Sequence, residues 1–588
     1  MTFLRELLAA ILGVFISFMI MFFVFVAIGS ALSSNFVDDE KVLVKKNSVL
    51  VLKLEDVIKD YAPKNDDPLA NLLGLEENKM GLDNILNAID NAKYDDHILG
   101  ISIESLIIQG GVAQIQEIRD KLFEFKESGK FITAYADVFE QKNLYLSTVA
   151  DSVYVNPVGM IDFRGLSGEV LFFKDFQEKY GLKMEVIRHG KYKSAVEPFL
   201  ANEMSEANRE QTEAFLKSIW SEMVEDIKES RNIESNEINH IADELMARTP
   251  DLAIENNMIT GKLYKDEYAK ILKKLGGLEE DSKLYSVSLK NYINSGKGRI
   301  VNNASEKIAV IYAQGEIMYG KGDENYIGPE LIIESLKKAR NAKDIKAIVL
   351  RVNSPGGSAL ASDIIWREVE ITKKDKPVVV SMGNLAASGG YYFSCNADKI
   401  VADPTTITGS IGVFGMVPNI SEFADRIGIN AEQVGTNKRS LDYSLFEPMT
   451  DDFYAVTKEG IESVYTTFVT KVAEGRNMTF EEVDKIAQGR VWTGKQALEN
   501  GLVDELGGLE DAIKLAASIV EIDEYRIRSY PDYKREFKDM FSGPFASIKH
   551  QVLLHEIGAD NLKIYKQLQQ FGDWKGIQTR MPFLLEIK

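Results

Sequence analysis

The sequence predicts an α/β protein of two tandem, related units behind a single apolar N-terminal helix. Three observations carry that expectation. The first is Leu7 to Ile28, a run of 22 almost wholly apolar, uncharged residues. The second is a series of short β-branched runs alternating with helical stretches, the pattern of parallel strands joined by right-handed crossovers. The third is that this series occurs twice.

As a helix, Leu7–Ile28 would be about 33 Å long, enough to cross a hydrocarbon core of about 30 Å. The apolar region of a cleaved leader is shorter, about 7–15 residues. An uncleaved anchor over residues 1–37 is therefore favoured, although Gly29-Ser-Ala31 would suit a leader-cleaving enzyme. Arg5 precedes the run and Asp38-Asp-Glu40 follow it. That asymmetry puts the N-terminus in the cytoplasm and the body across the membrane, a signal weakened by Lys41, Lys45 and Lys46.

In the later half, Ile308–Tyr312, Ala347–Val352 and Val378–Val380 read as strands. Val49–Leu52, Ile98–Ile101 and Phe131–Ala134 take the same places earlier. The likeness sharpens where Val149-Ala-Asp-Ser-Val-Tyr-Val-Asn-Pro157 faces Asn396-Ala-Asp-Lys-Ile-Val-Ala-Asp-Pro404. Further on, Ala253–Ile259 resembles Ala497–Val503. The expected division is a first unit over 48–290 and a second over 305–522, joined by the polar stretch Asn291–Lys307. Residues 523–588 form a tail. Within it, Gln551–His555 and Leu562–Leu568 suit amphipathic helices.

Composition narrows the function. The net charge of −20 disfavours nucleic-acid binding. The single cysteine, Cys395, excludes an internal disulfide and a cysteine metal cage. None of the five histidines has a ligand spacing.

The chemistry centres on Asn384-Leu-Ala-Ala-Ser-Gly-Gly-Tyr-Tyr392. A strand leads in, small residues surround Ser388, and a helix follows. Such a turn exposes a serine hydroxyl beside free backbone N–H groups that can hold an oxyanion; a small-residue packing turn is the plain alternative. The interval relating Asp151 to Asp398 puts Gln141 opposite Ser388, so the first unit lacks the nucleophile. Arg351-Val-Asn-Ser-Pro-Gly-Gly-Ser358 adds a second glycine turn, and the N–H groups of Gly357 and Gly389 suit an oxyanion hole. A phosphate loop would need Lys-Ser/Thr after the glycines.

The serine needs a base. No histidine follows Ser388 until His550, although His97 and His189 stay open on chain order alone. A buried lysine can serve, because desolvation lowers its pKa toward neutrality. Two lysines qualify. Lys193 lies in Gly190-Lys-Tyr-Lys-Ser-Ala-Val-Glu-Pro-Phe199, and Lys438, in Gly435-Thr-Asn-Lys438, sits at the matching place of the repeat. Ser410, in Thr408-Gly-Ser-Ile-Gly-Val413, offers a hydroxyl to aim a neutral amine.

Taken together, Lys191–Phe199, Asn353-Ser-Pro-Gly-Gly357, Ala386-Ala-Ser-Gly-Gly-Tyr391, Thr408–Gly412 and Gly489-Arg-Val-Trp-Thr-Gly494 resemble the signal peptide peptidase SppA (protease IV) family in its long, membrane-anchored form. The resemblance covers nearly the whole chain. It implies a ClpP/crotonase-like fold in both units and a Ser-Lys dyad drawn from both. Ser388 would be the nucleophile, Lys193 the general base and Ser410 its orienting partner. Shorter relatives take their lysine from the serine's own unit, which leaves Lys438 as runner-up. It also implies a homotetramer in the bacterial inner membrane, its catalytic body on the periplasmic side, degrading cleaved signal peptides without metal or cofactor. A crotonase-type acyl-CoA enzyme and a non-catalytic membrane scaffold are the competing classes.

Overall fold

In a computed structural model of the protein the described residues are 5, 12–24, 43–63, 79–279, 281–298, 302–533 and 577–581. In the first half, β1 (Ser48–Leu52), β2 (Ile98–Ile103), β3 (Phe131–Phe139) and β4 (Ser152–Ile161) form a parallel sheet in the order β4-β3-β2-β1. The strand Tyr285–Ser288 flanks β1 and Gly261–Lys262 flanks β4, both parallel. The next strand in sequence, β5 (Lys183–His189), leaves this sheet.

The second half repeats the order. Its strands are β6 (Lys307–Gln314), β7 (Ile345–Ser354), the short β8 (Gly356–Ser358), β9 (Val378–Ala387) and β10 (Lys399–Ala402). In the sheet, β10, β9, β7 and β6 lie parallel in that order. Arg526–Tyr530 flanks β6 as Tyr285–Ser288 flanks β1, and Glu505–Leu506 flanks β10 as Gly261–Lys262 flanks β4. Every strand pair read from the repeat is thus a strand in the same place of its sheet. The central strands are apolar on both faces because helices cover both: Ile348, Val349, Leu350, Val378, Val379 and Val380 have no exposed surface.

Past β10 come β11 (Ile407–Gly409), beside the end of β9, and β12 (Val413–Asn419). A third sheet binds the halves together. There β5 pairs antiparallel with β12 from Lys183↔Asn419 to His189↔Val413. On the other side of β12 lies β13 (Ile577–Arg580), which pairs in turn with β8.

Helices repeat as well. Of those near the site, α1 (Val112–Lys126) docks against the second half, and α2 (Gln141–Ser147) follows β3. The 26-residue α3 (Glu206–Arg231) is capped by Ser205 and ends on Asn232 at φ 52°. Its counterpart comes after α4 (Gly389–Ser394): α5 (Asp451–Arg476), also 26 residues, is capped by Thr450 and ends on Asn477 at φ 53°. Hydroxyl caps start both, and left-handed asparagines stop both.

Two expectations change. The junction expected from Asn291 begins inside a helix, Leu289–Ser295, held by the Ser288 cap and buried Tyr292. The tail expected to be helical is strand where it is described, over Arg526–Tyr530 and β13, because each meets an unpaired strand edge. Gln551–His555 and Leu562–Leu568 lie outside the described residues. Of the apolar run Leu7–Ile28, residues 12–24 are described, helical and exposed. Among the described residues no helix is long and apolar enough to cross a membrane.

Candidate active site

The β9–α4 turn builds the site from its sharpest point. Ser388 is the N-cap of α4 with φ 55° and ψ −109°, a backbone state costing about 1–3 kcal/mol for a side-chain-bearing residue. It is held there from both sides: Ser388 N–H donates to Gly409 O at 2.7 Å, and Tyr392 N–H to Ser388 O at 2.8 Å. The bend places Gly389 N–H in the first turn of the helix, beside Ser388.

Against that turn lies the second glycine turn. Gly356 and Gly357 have φ 99° and 152°. A Cβ on Gly356 would come 3.0 Å from Gly389 N, and one on Gly357 only 2.1 Å from Ile317 O. Side chains are excluded, so backbone can approach the Ser388 turn closely. The Gly357 and Gly389 residues expected to form an oxyanion hole therefore lie in adjoining turns.

Lys193 enters from the other half. Strand β5 ends at His189, and the chain folds back at Gly190 (φ 108°) into the turn carrying Lys193. Lys193 Nζ lies 2.8 Å from Ser388 Oγ, 3.0 Å from Ser410 Oγ and 3.1 Å from Ser410 O. Lys193, Ser388 and Ser410 are wholly buried. Burial alone holds the Lys193 amine well below the ordinary lysine pKa. Nζ is within donating distance of all three oxygens, and a neutral amine suits them: its two N–H groups can go to Ser410, which leaves its lone pair for the Ser388 hydroxyl.

The rest of the cradle was not visible as such in the sequence. Gly489 (φ 81°) passes so near that a Cβ there would lie 2.7 Å from Lys193 Cα; at Gly412 a Cβ would lie 3.2 Å from Lys193 Cδ. Gln211, on α3, donates to Tyr192 O at 3.1 Å and Ser194 Oγ at 2.9 Å. Tyr192 N–H donates to Gln488 O at 2.8 Å. Of these, Tyr192, Ser194, Gly412 and Gly489 lay within recognised motifs, and Gln211 and Gln488 did not.

The other candidates fall elsewhere. Lys438 is exposed on the loop after Gly428. His189 sits 2.6 Å from Glu462 and stacks on Tyr465, and His97 lies 3.1 Å from Asp95. Gln141, opposite Ser388 in the repeat, opens α2 and accepts from Arg164 N–H at 3.1 Å. Among the described residues no His, Cys, Asp and Glu cluster is suited to a metal ion.

The chain matches the model of peptidase family S49 over residues 124–279 and 370–523, once in each half. It is 36% identical over 485 residues to Protease 4 of Haemophilus influenzae, covering 80% of this chain and 79% of that protein. It is also 31% identical over 551 residues to the chloroplastic serine protease SPPA of Arabidopsis thaliana, covering 92% of this chain and 78% of the relative. A solved ClpP1 mutant from Listeria monocytogenes aligns with 35% of this chain and 94% of its own at a TM-score of 0.25 and 16% identity, too slight a likeness to argue from. With a family match in both halves and relatives this similar along most of their length, the chain belongs to peptidase family S49 and is a serine peptidase.

Proposed function

We propose that the peptidase works through a Ser388–Lys193 dyad and degrades cleaved signal peptides and similar peptides at the membrane that anchors it. The observation that carries the reading is the 2.8 Å approach of Lys193 Nζ to Ser388 Oγ in a fully buried site. Neutral Lys193 takes the Ser388 proton as Oγ attacks a peptide carbonyl. The N–H groups of Gly357 and Gly389 hold the oxyanion of the tetrahedral intermediate. Protonated Lys193 then gives its proton to the leaving amine, and an acyl-enzyme remains. Water loses a proton to Lys193 and attacks the ester; Lys193 returns that proton to Ser388 Oγ as the acid leaves, which restores the hydroxyl and the neutral amine. Ser410 keeps the amine aimed throughout.

The finer features of this proposal are the Leu7–Ile28 anchor, a body on the periplasmic side of the bacterial inner membrane, a homotetramer and a ClpP/crotonase-like fold in each unit. They rest on the family resemblance and on the apolar run. The serine is in one unit and the lysine in the other, so each unit alone lacks half of the dyad.

The deciding experiment compares Ser388→Ala, Lys193→Met and Lys438→Met on a synthetic signal peptide in detergent micelles. The first two should lose at least about 10³-fold in kcat, in line with the loss of a nucleophile or its base. Lys438→Met should retain wild-type rates. An inactive Lys438→Met beside an active Lys193→Met would reassign the base.

A further inference from the structure

A lysine used as a base is only as well placed as its backbone. Its four-carbon stem is flexible, so Nζ stays put only where the main chain is fixed. Lys193 has little local help. Its φ of −76° and ψ of 74° belong to neither helix nor strand, so no ladder holds it. Its own N–H reaches Gly190 O at a long 3.4 Å, and its carbonyl accepts from Arg188 Nη1 at 3.1 Å. The support comes instead from α3.

The start of α3 faces the lysine turn with two side-chain amides. Asn208 and Gln211, three residues apart, share one face of the helix and are both buried. Asn208 Nδ2 donates to Glu197 Oε2 at 2.6 Å. Gln211 Nε2 lies 3.1 Å from Tyr192 O and 2.9 Å from Ser194 Oγ, and 3.3 Å from Asn208 Oδ1. One amide group thus grips the residue before Lys193 and the residue after it.

The other end of the same amide reaches the second half. Gln211 Oε1 accepts from Val491 N–H at 3.4 Å. The two residues before Val491 already touch the site. Gly489 lies against the Lys193 main chain, and Arg490 O accepts from Ser410 N–H at 2.7 Å. Further along the same face of α3, Ser218 Oγ lies 2.8 Å from Thr493 Oγ1 and Glu222 pairs with Lys495. The helix is therefore stitched along the segment that carries Ser410, and Gln211 is the stitch nearest the base.

The residue type fits that task. A primary amide offers two donors and an acceptor on one planar group, and the site presents acceptors on one side and a donor on the other. A carboxylate would bring no donor to Tyr192 O and would bury a negative charge beside an amine that burial alone keeps neutral.

We propose that Gln211 is the positioning residue of the base: its amide clamps the Lys193 turn onto the segment that holds Ser410 and so keeps Nζ within reach of Ser388 Oγ. This rests on reading Lys193 as the general base. Gln211 contacts only the protein's own groups, so it acts through Lys193.

The test uses two variants of the full-length protein on a synthetic signal peptide. Gln211→Met keeps the length and volume of the side chain and removes every hydrogen bond. Its kcat should fall about 10²-fold, the loss expected for a displacement near 1 Å, with KM within about twofold of wild type. The freed turn admits water to the amine, so the rising limb of kcat/KM should move up by about one pH unit. Gln211→Glu is nearly isosteric and keeps the test decisive should the methionine variant not fold. Its buried carboxylate should move the limb in the same direction. Wild-type kcat in either variant, with wild-type circular dichroism, would overturn the proposal. A lower kcat with an unmoved limb would overturn it too, because lost stability alone scales activity equally at every pH. Lys193→Met run in parallel separates the two readings. Wild-type turnover there removes the base assignment itself, whereas an inactive Lys193→Met beside a fully active Gln211→Met removes only the clamp.

Discussion

At the residue scale the central fact is a lysine buried without a counter-ion. Nothing near Lys193 favours its charged form strongly enough to offset desolvation, so the folded state prefers the free amine. Two consequences follow for pH. If Lys193 is the base, as proposed, activity needs the amine uncharged, so kcat/KM should rise with pH through an apparent pKa well below that of a free lysine; a limb near 10 would contradict this. Stability has the same sign. The folded chain holds fewer protons at Lys193 than the unfolded chain, so its penalty is present below the lowered pKa. That penalty disappears as pH rises to the ordinary lysine value. Denaturant unfolding of wild type and Lys193→Met should therefore show wild type gaining relative stability as pH is raised over that window. Parallel pH curves would mean that Lys193 is charged in the fold.

At the element scale the site is an agreement between turns. The β9–α4 bend, the β7–β8 glycine turn, the segment after β11 and the turn after β5 each contribute one group. Gly489 is where that agreement is tightest, because backbone at φ 81° lies against the Lys193 main chain. Gly489→Ala should push the lysine turn away from Ser388. A displacement near 1 Å costs on the order of 10²-fold in rate. Steady-state kinetics with a thermal melt would check it: a large kcat loss with a modest melting shift is expected, and wild-type kcat would refute the contact.

At the scale of the whole molecule, two devices lock the halves together. One is the β5–β12 pairing that delivers Lys193. The other is buried beneath the site: Arg351 on β7, wholly buried, pairs with Asp60 at 3.3 Å and with Glu117 of α1. It also donates to Ser381 Oγ on β9 at 2.9 Å. Strands β7 and β9 end in the glycine turn and in Ser388, so the arginine ties both to the first half. Arg351→Met leaves those carboxylates buried without their cation and should cost about 3–5 kcal/mol in chemical denaturation. Stability within 1 kcal/mol of wild type would show the cluster to be incidental. The two halves expressed apart should each be inactive, and remixing them should restore turnover only where β5 re-pairs.

Much of this was legible along the chain, for a physical reason. Parallel strands covered on both faces must be β-branched runs, so Ile308–Tyr312, Ala347–Val352 and Val378–Val380 and their earlier counterparts declared themselves. A serine on a tight strand-to-helix turn needs small neighbours, so Ser388 stood out within Ala386–Gly390. Other features depend on contacts between residues far apart in sequence, which no local pattern encodes. Lys193 and Lys438 occupy equivalent places in the repeat, and only packing buries one and exposes the other. Gln211 and Gly489 look ordinary until the lysine turn is laid against them. Ile577–Arg580 has no strand pattern of its own; it becomes a strand because β8 and β12 offer it two open edges. Local sequence thus determined which segments are strands and which turn bears the serine, since those follow from covalent geometry and burial period. Tertiary structure decided which amine reaches that serine and what lies across it, since both depend on desolvation and edge pairing that exist only once the halves have met.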